Sequence, residues 1–208
     1  MPEGEPQPKQ AANLNSSLVR LKPLLPPKTK KIGLDAEALS GPEWEGFHSK
    51  IAVCFGWGNE SKLSYISALD MTPGIFDTND LFRLQLAIIE KDTIVVAHNA
   101  NYDLDLLSGV CLDHGLDPLP SGIRYLDTMN TLKTGYAYRR KLSDLCKKYG
   151  IQLKGGSPDW RLVMQRDQRE WDAMRDYNLN DVVCTLQLER TYRQRGIPCP
   201  IKVWKNRK

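Results

Sequence analysis

The sequence predicts an α/β protein: a mixed β-sheet with helices packed on it. Two observations carry this. Three strand-like runs follow one another closely between residues 30 and 70, and beyond residue 77 segments of helical spacing alternate with short apolar runs. A third sets the scale: 208 residues, 41% hydrophobic and 26% charged, are ordinary for a globular chain with one substantial core.

Residues 1–29 are rich in proline, asparagine, glutamine and serine and show little periodicity, so they read as a flexible or extended basic arm. Regular structure begins at "KKIGLDAEAL", where Ile32 and Leu34 mark a core strand. "KIAVCFGWG" and "LSYISAL" supply a second and third strand, close enough to form an antiparallel meander. "DTNDLFRLQLAIIEKD" spaces Leu81, Leu84, Leu86, Ile88 and Ile89 at near-helical intervals, with Asp77 or Thr78 as its cap. "TIVVAHN" is continuously apolar and β-branched, which suits a strand buried on both faces. A helix "YDLDLLSGVCLDHG" ends at Gly115, "IRYLDTM" is a further strand, and "KLSDLCKKYG" is a short helix ending at Gly150. After the loop "GGSPDW", residues 167–195 contain no glycine or proline and read as a long helix, with a break near Tyr177 as a variant. The organisation is thus an arm over 1–29, a domain over 30–196 and a basic tail over 197–208.

Residues 1–31 carry six basic side chains against Glu3 and Glu5, so the leader holds the whole formal net charge of +4. Such a leader could touch a phosphate backbone, although composition alone favours a solvated tail. The five cysteines are odd in number, widely spaced and without a Cys-x-x-Cys pair, which fits neither a zinc site nor a disulfide framework. They read as reduced, buried small hydrophobes. No apolar run approaches the roughly 20 residues of a membrane span, and no signal-peptide core is visible, so the chain reads as cytosolic.

Three segments concentrate acids where chemistry is possible. Asp35 and Glu37 lie two apart on a strand, so both carboxyls share one face. Like charges there repel unless a cation lies between them, and hard Mg²⁺ or Mn²⁺ takes such oxygens. Read alone, the pair is more often a solvated edge. In "VVAHNANYDLDLL", Asp103 opens a helix directly after an apolar strand, in the crevice region where open sheets bind ligands. The plain alternative is that Asp103 or Asn101 caps that helix. Tyr177 and Asp181 are i and i+4, which sets the phenol one turn from the carboxyl. Alone, they read as a core tyrosine and a surface acid.

Together the segments resemble the three motifs of the DnaQ-like, or DEDD, exonuclease superfamily. Its pattern is Asp-x-Glu, then His-Asn-x-x-Phe/Tyr-Asp, then Tyr-x-x-x-Asp or His-x-x-x-x-Asp. Here they are "DAE", "HNANYD" and "YNLND", in order, over roughly residues 30–195, with "YLDT" at 125–128 matching an Asp-Thr common between the second and third. Position 176 is aspartate rather than histidine, so Tyr177 points to the tyrosine branch, like the proofreading domains of family A and B polymerases.

The resemblance implies a ribonuclease-H-like fold and a 3′–5′ exonuclease that hydrolyses single-stranded nucleic acid, DNA favoured, with two divalent ions, Mg²⁺ or Mn²⁺. Asp35 would bridge both ions, Glu37 and Asp181 would complete the tightly held site, and Asp103 would act on the second. Tyr177 would orient the attacking water, since a phenol of pKa ~10 is a poor base at neutral pH. Leu39, His98, Asn99 and Tyr102 are the candidate substrate contacts, with apolar and aromatic walls for an unstacked end. Trp44, Trp57 and Trp160 are further candidates for which a core role is preferred. The cluster Arg139, Arg140 and Lys141 could follow phosphates. RNA trimming, action as a polymerase's proofreading subunit, and a non-catalytic binding module on the same fold are the competing readings.

Overall fold

The computed structural model describes residues 29–39, 50–129, 141–153 and 155–206. The expectations for the arm, Trp44, Arg139 and Arg140 lie outside the described residues.

The described strands form one six-stranded sheet in the order β3-β2-β1-β4-β5-β6. β1 (Lys30–Leu39), β2 (Ile51–Asn59) and β3 (Lys62–Ser67) make the antiparallel meander. β4 (Thr93–Ala97) lies parallel to β1 on its other side, and β5 (Arg124–Asp127) parallel to β4. All five residues of β4 are buried, as its unbroken apolar run requires of a central strand. This mixed sheet flanked by helices is a ribonuclease-H-like architecture.

α1 (Thr78–Ile89) starts at Asp77, whose side chain accepts from the Asp80 N–H. α2 (Ala100–Asp113) follows β4 after Asn99 alone in the left-handed region, at φ 87°. α3 (Leu142–Tyr149) ends on Gly150 at φ 72°, where a residue without Cβ carries no steric cost. α4 (Trp160–Met164) is short, and α5 (Gln168–Gln194) runs 27 residues without the break near Tyr177, capped by Asp167 accepting from the N–H groups of Arg169 and Glu170.

Two glycines set the distance between α5 and the sheet. A Cβ on Gly33 would come 2.7 Å from Val182 Cγ1, and one on Gly56 would come 2.2 Å from Asn178 Oδ1. Gly33, Asp35 and Glu37 alternate onto one face of β1, so the face on which α5 lies close is the face that carries the acids. Val182 and Leu186 fill the space over Gly33 with Ile94, Val96 and Leu126, each buried aliphatic side chain stabilising by roughly 1.5–3 kcal/mol. On the sheet's other side, Leu34 packs in the main core with Leu81, Leu84, Leu104 and Leu107 of α1 and α2.

The segment expected as a basic tail is in part structural. Lys202–Val203 form β6, antiparallel to β5, and Trp204 is buried with its indole N–H on Asp105 Oδ1 at 2.8 Å. A two-residue strand has no readable periodicity, and the indole's partner lies 99 residues away. Trp57 is in the core and Trp160 packs against it, and all five cysteines are free thiols, four of them buried. Among the described residues no helix is long and apolar enough to cross a membrane.

Candidate active site

The first two acids come from β1. Period-two geometry puts Asp35 and Glu37 on the α5 side, while Leu34 and Ala36 turn into the core. Between Glu37 and Ala38 the pairing with β2 shifts register. α5 brings Tyr177 and Asp181 down on the same ground, one turn apart. One carboxylate oxygen each of Asp35, Glu37 and Asp181 lie within 4.8 Å of one another. Residues 146 positions apart in the chain thus share one half-buried pocket.

Asp103 stands outside that tight trio but within its field. It is 2% exposed, lies in the first turn of α2, and is not the helix cap. The capping alternative fails because position 99 is the cap, and Asn99 makes no side-chain cap bond. Asp103 takes a hydrogen bond from the Ala36 backbone, while its Oδ2 is buried with no partner.

Electrostatics record the crowding. Burial pushes the Asp35 carboxyl well above the usual range, with Glu37, Asp103 and Asp181 pushing the same way. Glu37 is raised to about 8 by burial and then by Asp181. Burial raises Asp181 to about 6, against a hydrogen bond from the Tyr177 hydroxyl. Asp103 is raised by burial and then by Glu37. Among the described residues, no ion pair reaches any of the four. Four acids without a cation, all of them oxygen donors and one with an orphaned buried oxygen, fit a hard divalent ion.

Tyr177 is half-buried, and its hydroxyl is raised further above the ordinary phenol value by burial and by Asp181. It is therefore a proton donor across the neutral range. A cavity of about 440 Å³ opens beside it, lined by Lys141, Ser143, Ser157, Tyr177, Asn180 and Asp181 among others.

The expected substrate contacts divide. Tyr102 is half-buried on α2 with the Lys50 ammonium 4.1 Å from its ring centre, and its hydroxyl is raised by burial and by Asp103, which places it at the acidic pocket. Leu39, at the end of β1, is 6% exposed and packs in the core. The His98 Nδ1 is fastened to Thr128 Oγ1 at 2.9 Å. Asn99 is held through its backbone, its N–H donating to Asp127 Oδ1 at 3.1 Å. Asp127 and Thr128 are therefore the brace under the β4–α2 turn: Asp127 also accepts from the Met129 N–H at 3.0 Å, and the Thr128 hydroxyl reaches the Ala97 carbonyl at 3.3 Å.

Sequence reasoning missed Asn178, Lys50 and the two glycines beneath α5. Asn178 stands beside Tyr177 in the third motif, but only the helix's rotation, about 100° per residue, reveals that it turns onto β1 and β2.

These geometries meet the comparisons with known proteins. An exonuclease family model, RNase_T, matches residues 77–156. Among solved structures, the chain is similar to the family B DNA polymerase of the hyperthermophilic archaeon Pyrobaculum calidifontis, with 16% identity and a TM-score of 0.62, over 81% of this chain and 25% of the polymerase. It is also similar to Escherichia coli RNase D, an exoribonuclease involved in structured RNA processing, with 18% identity and a TM-score of 0.50, over 80% of this chain and 40% of that one. Brucella melitensis NrnC with bound Mg²⁺ aligns at 14% identity and a TM-score of 0.49, over 81% of this chain and 76% of that one. The chain thus spans about a quarter of the polymerase's length and less than half of RNase D's. No curated protein matches it.

Over residues 77–156 the chain is thus similar to an exonuclease family, and its fold is similar to those of the polymerase and RNase D.

Proposed function

We propose that this chain is a DnaQ-like 3′–5′ exonuclease of the tyrosine branch, a phosphodiester hydrolase that removes nucleotides from the 3′ end of single-stranded DNA by two-metal-ion hydrolysis. The observation that carries the reading is the meeting of Asp35, Glu37 and Asp181 within 4.8 Å, beside the orphaned Oδ2 of Asp103.

Asp35, Glu37 and Asp181 would hold one divalent ion, and Asp35 with Asp103 would face a second. When bound, such ions supply neutralisation of phosphate charge and activation of water. The chain's own residues do the rest. Tyr177, protonated and hydrogen-bonded to Asp181, would orient the attacking water rather than take its proton. The cavity beside Tyr177 would give the strand room next to the acids, with Lys141 in its lining as a phosphate contact. Tyr102, backed by Lys50, offers an aromatic wall for the terminal nucleotide. His98, Asn99 and Leu39 act by shaping the β4–α2 turn and the end of β1.

The test is digestion of 3′- and 5′-labelled single-stranded and duplex oligonucleotides, DNA and RNA in parallel, with Mn²⁺, Mg²⁺ or EDTA. Expected is stepwise loss from the 3′ end of single-stranded DNA, abolished by EDTA and by Asp35→Ala. Full activity of Asp35→Ala would overturn the mechanism. Faster loss from RNA would transfer the same chemistry to RNA 3′-end trimming, since that choice rests on 2′-hydroxyl contacts. Activity only alongside a polymerase, which a pull-down would capture, would make the chain a proofreading subunit.

A further inference from the structure

One buried polar side chain in the pocket is used by none of these roles. Asn178 lies on α5 between Tyr177 and Asp181 and is fully buried. Its Nδ2 donates to Asp35 Oδ2 at 2.7 Å and lies 3.3 Å from the Asp35 backbone carbonyl. Both neighbours are acceptors, so the amide must present its nitrogen to them; the reverse orientation would set oxygen against oxygen. The other end is left bare: Asn178 Oδ1 is buried without a partner, held over Gly56. Gly56 stands directly opposite Asp35 in the β1–β2 pairing, and any side chain there would strike the amide.

That arrangement is not what packing alone would select. A buried, unpaired amide oxygen costs on the order of 1–3 kcal/mol, and an aliphatic side chain of similar volume would fill the place without it. The feature the amide adds is a single N–H donor aimed at one carboxyl, in a pocket where Glu37, Asp103 and Asp181 all repel that carboxyl. Repulsion from three sides favours other rotamers of Asp35, and the Asn178 N–H opposes it.

We propose that Asn178 is a positioning residue: it holds the Asp35 carboxylate in one rotamer, facing Glu37 and Asp181, with Gly56 as the gap that lets α5 deliver the amide. The inference rests on the reading that Asp35 holds a divalent ion. Partners of this kind, which hydrogen-bond a ligating group from behind, typically govern metal affinity by 10–100-fold.

The experiment is a direct Mn²⁺ titration of the purified chain, by calorimetry or electron paramagnetic resonance, on wild type, Asn178→Leu, Asn178→Ala and Asp35→Asn. Thermal midpoints are read in EDTA, and kcat and KM on a labelled oligonucleotide. Asn178→Leu is expected to weaken Mn²⁺ binding about tenfold or more and to lower kcat with little change in KM, while its midpoint in EDTA equals or exceeds wild type. Mn²⁺ affinity within twofold of wild type in Asn178→Leu overturns the proposal, and a fallen midpoint would then assign the residue to packing. Should Asn178→Leu not fold, Asn178→Ala decides by the same Mn²⁺ criterion. Asp35→Asn separates the two readings. If it too binds Mn²⁺ normally, the reading of the metal site has failed; if it loses Mn²⁺ while Asn178→Leu does not, only the role of Asn178 has.

Discussion

Asp103 and Asp127 are both buried aspartates at the carboxyl end of the parallel strands, 2% and 3% exposed. They are otherwise opposites. Asp127 spends Oδ1 on two backbone N–H groups, those of Asn99 and Met129, and so fastens the turn that carries α2. Asp103 leaves Oδ2 with nothing, faces Glu37, and is raised by burial and by that neighbour. A buried acid whose oxygens are answered by the backbone holds the fold together. A buried acid left unanswered among other acids is waiting for a ligand the fold does not supply.

The sharpest way to break that comparison is to remove one charge from each. Asp103→Asn is expected to lower hydrolysis by at least about a hundredfold, a few kcal/mol of lost transition-state stabilisation, while leaving the thermal midpoint unchanged or higher. Asp127→Asn keeps an oxygen acceptor for the two N–H groups, so activity should stay within about tenfold while stability drops by roughly 1 kcal/mol. Equal activity losses, read on a labelled oligonucleotide beside melting curves, would erase the distinction.

A smaller effect belongs to Tyr177, which stands between the two types because its hydroxyl is answered by Asp181 yet open to the pocket. Tyr177→Phe should slow kcat about 10- to 100-fold without abolishing hydrolysis, with KM nearly unchanged. It should also leave the alkaline limb of the pH–rate profile unchanged, since the wild-type phenol stays protonated there. Loss as complete as that of Asp35→Ala would make the tyrosine indispensable and the orienting role too weak a description.

The smallest expected effect is on stability against pH. Glu37 is raised from 4.5 to about 8, so its unfolded form ionises first. Between those values the unfolded chain has released a proton the folded chain still holds, and stability falls as pH rises. In EDTA the melting midpoint should therefore decline by several degrees from about pH 5 to pH 8. Glu37→Gln should flatten that decline, and saturating Mn²⁺ should raise the midpoint most at the alkaline end. A decline unaffected by Glu37→Gln, seen by scanning fluorimetry, would place its origin elsewhere.

Much of this was legible in the chain itself. The meander, the apolar β4, the caps at Asp77 and Gly150 and the existence of a long last helix are local matters, set by period, β-branching and turn chemistry within a few residues. Asp-x-Glu on a strand and Tyr-x-x-x-Asp on a helix carry their own geometry, so each pair's shared face followed from spacing alone. The short β6 and the burial of Trp204 did not, because neither has a period and both depend on β5 and Asp105.

What the amino-acid order determined by itself, then, was which residues could act and in which local pairs they stand. What only the tertiary structure decided was that the pairs meet, that Asp127 braces while Asp103 is left open, and that Asn178 reaches Asp35 across 143 residues. The physical reason is that a helix or strand fixes neighbours within a turn or two. The approach of α5 to β1, by contrast, is set by two missing side chains, at Gly33 and Gly56, on strands that the chain reaches more than a hundred residues earlier.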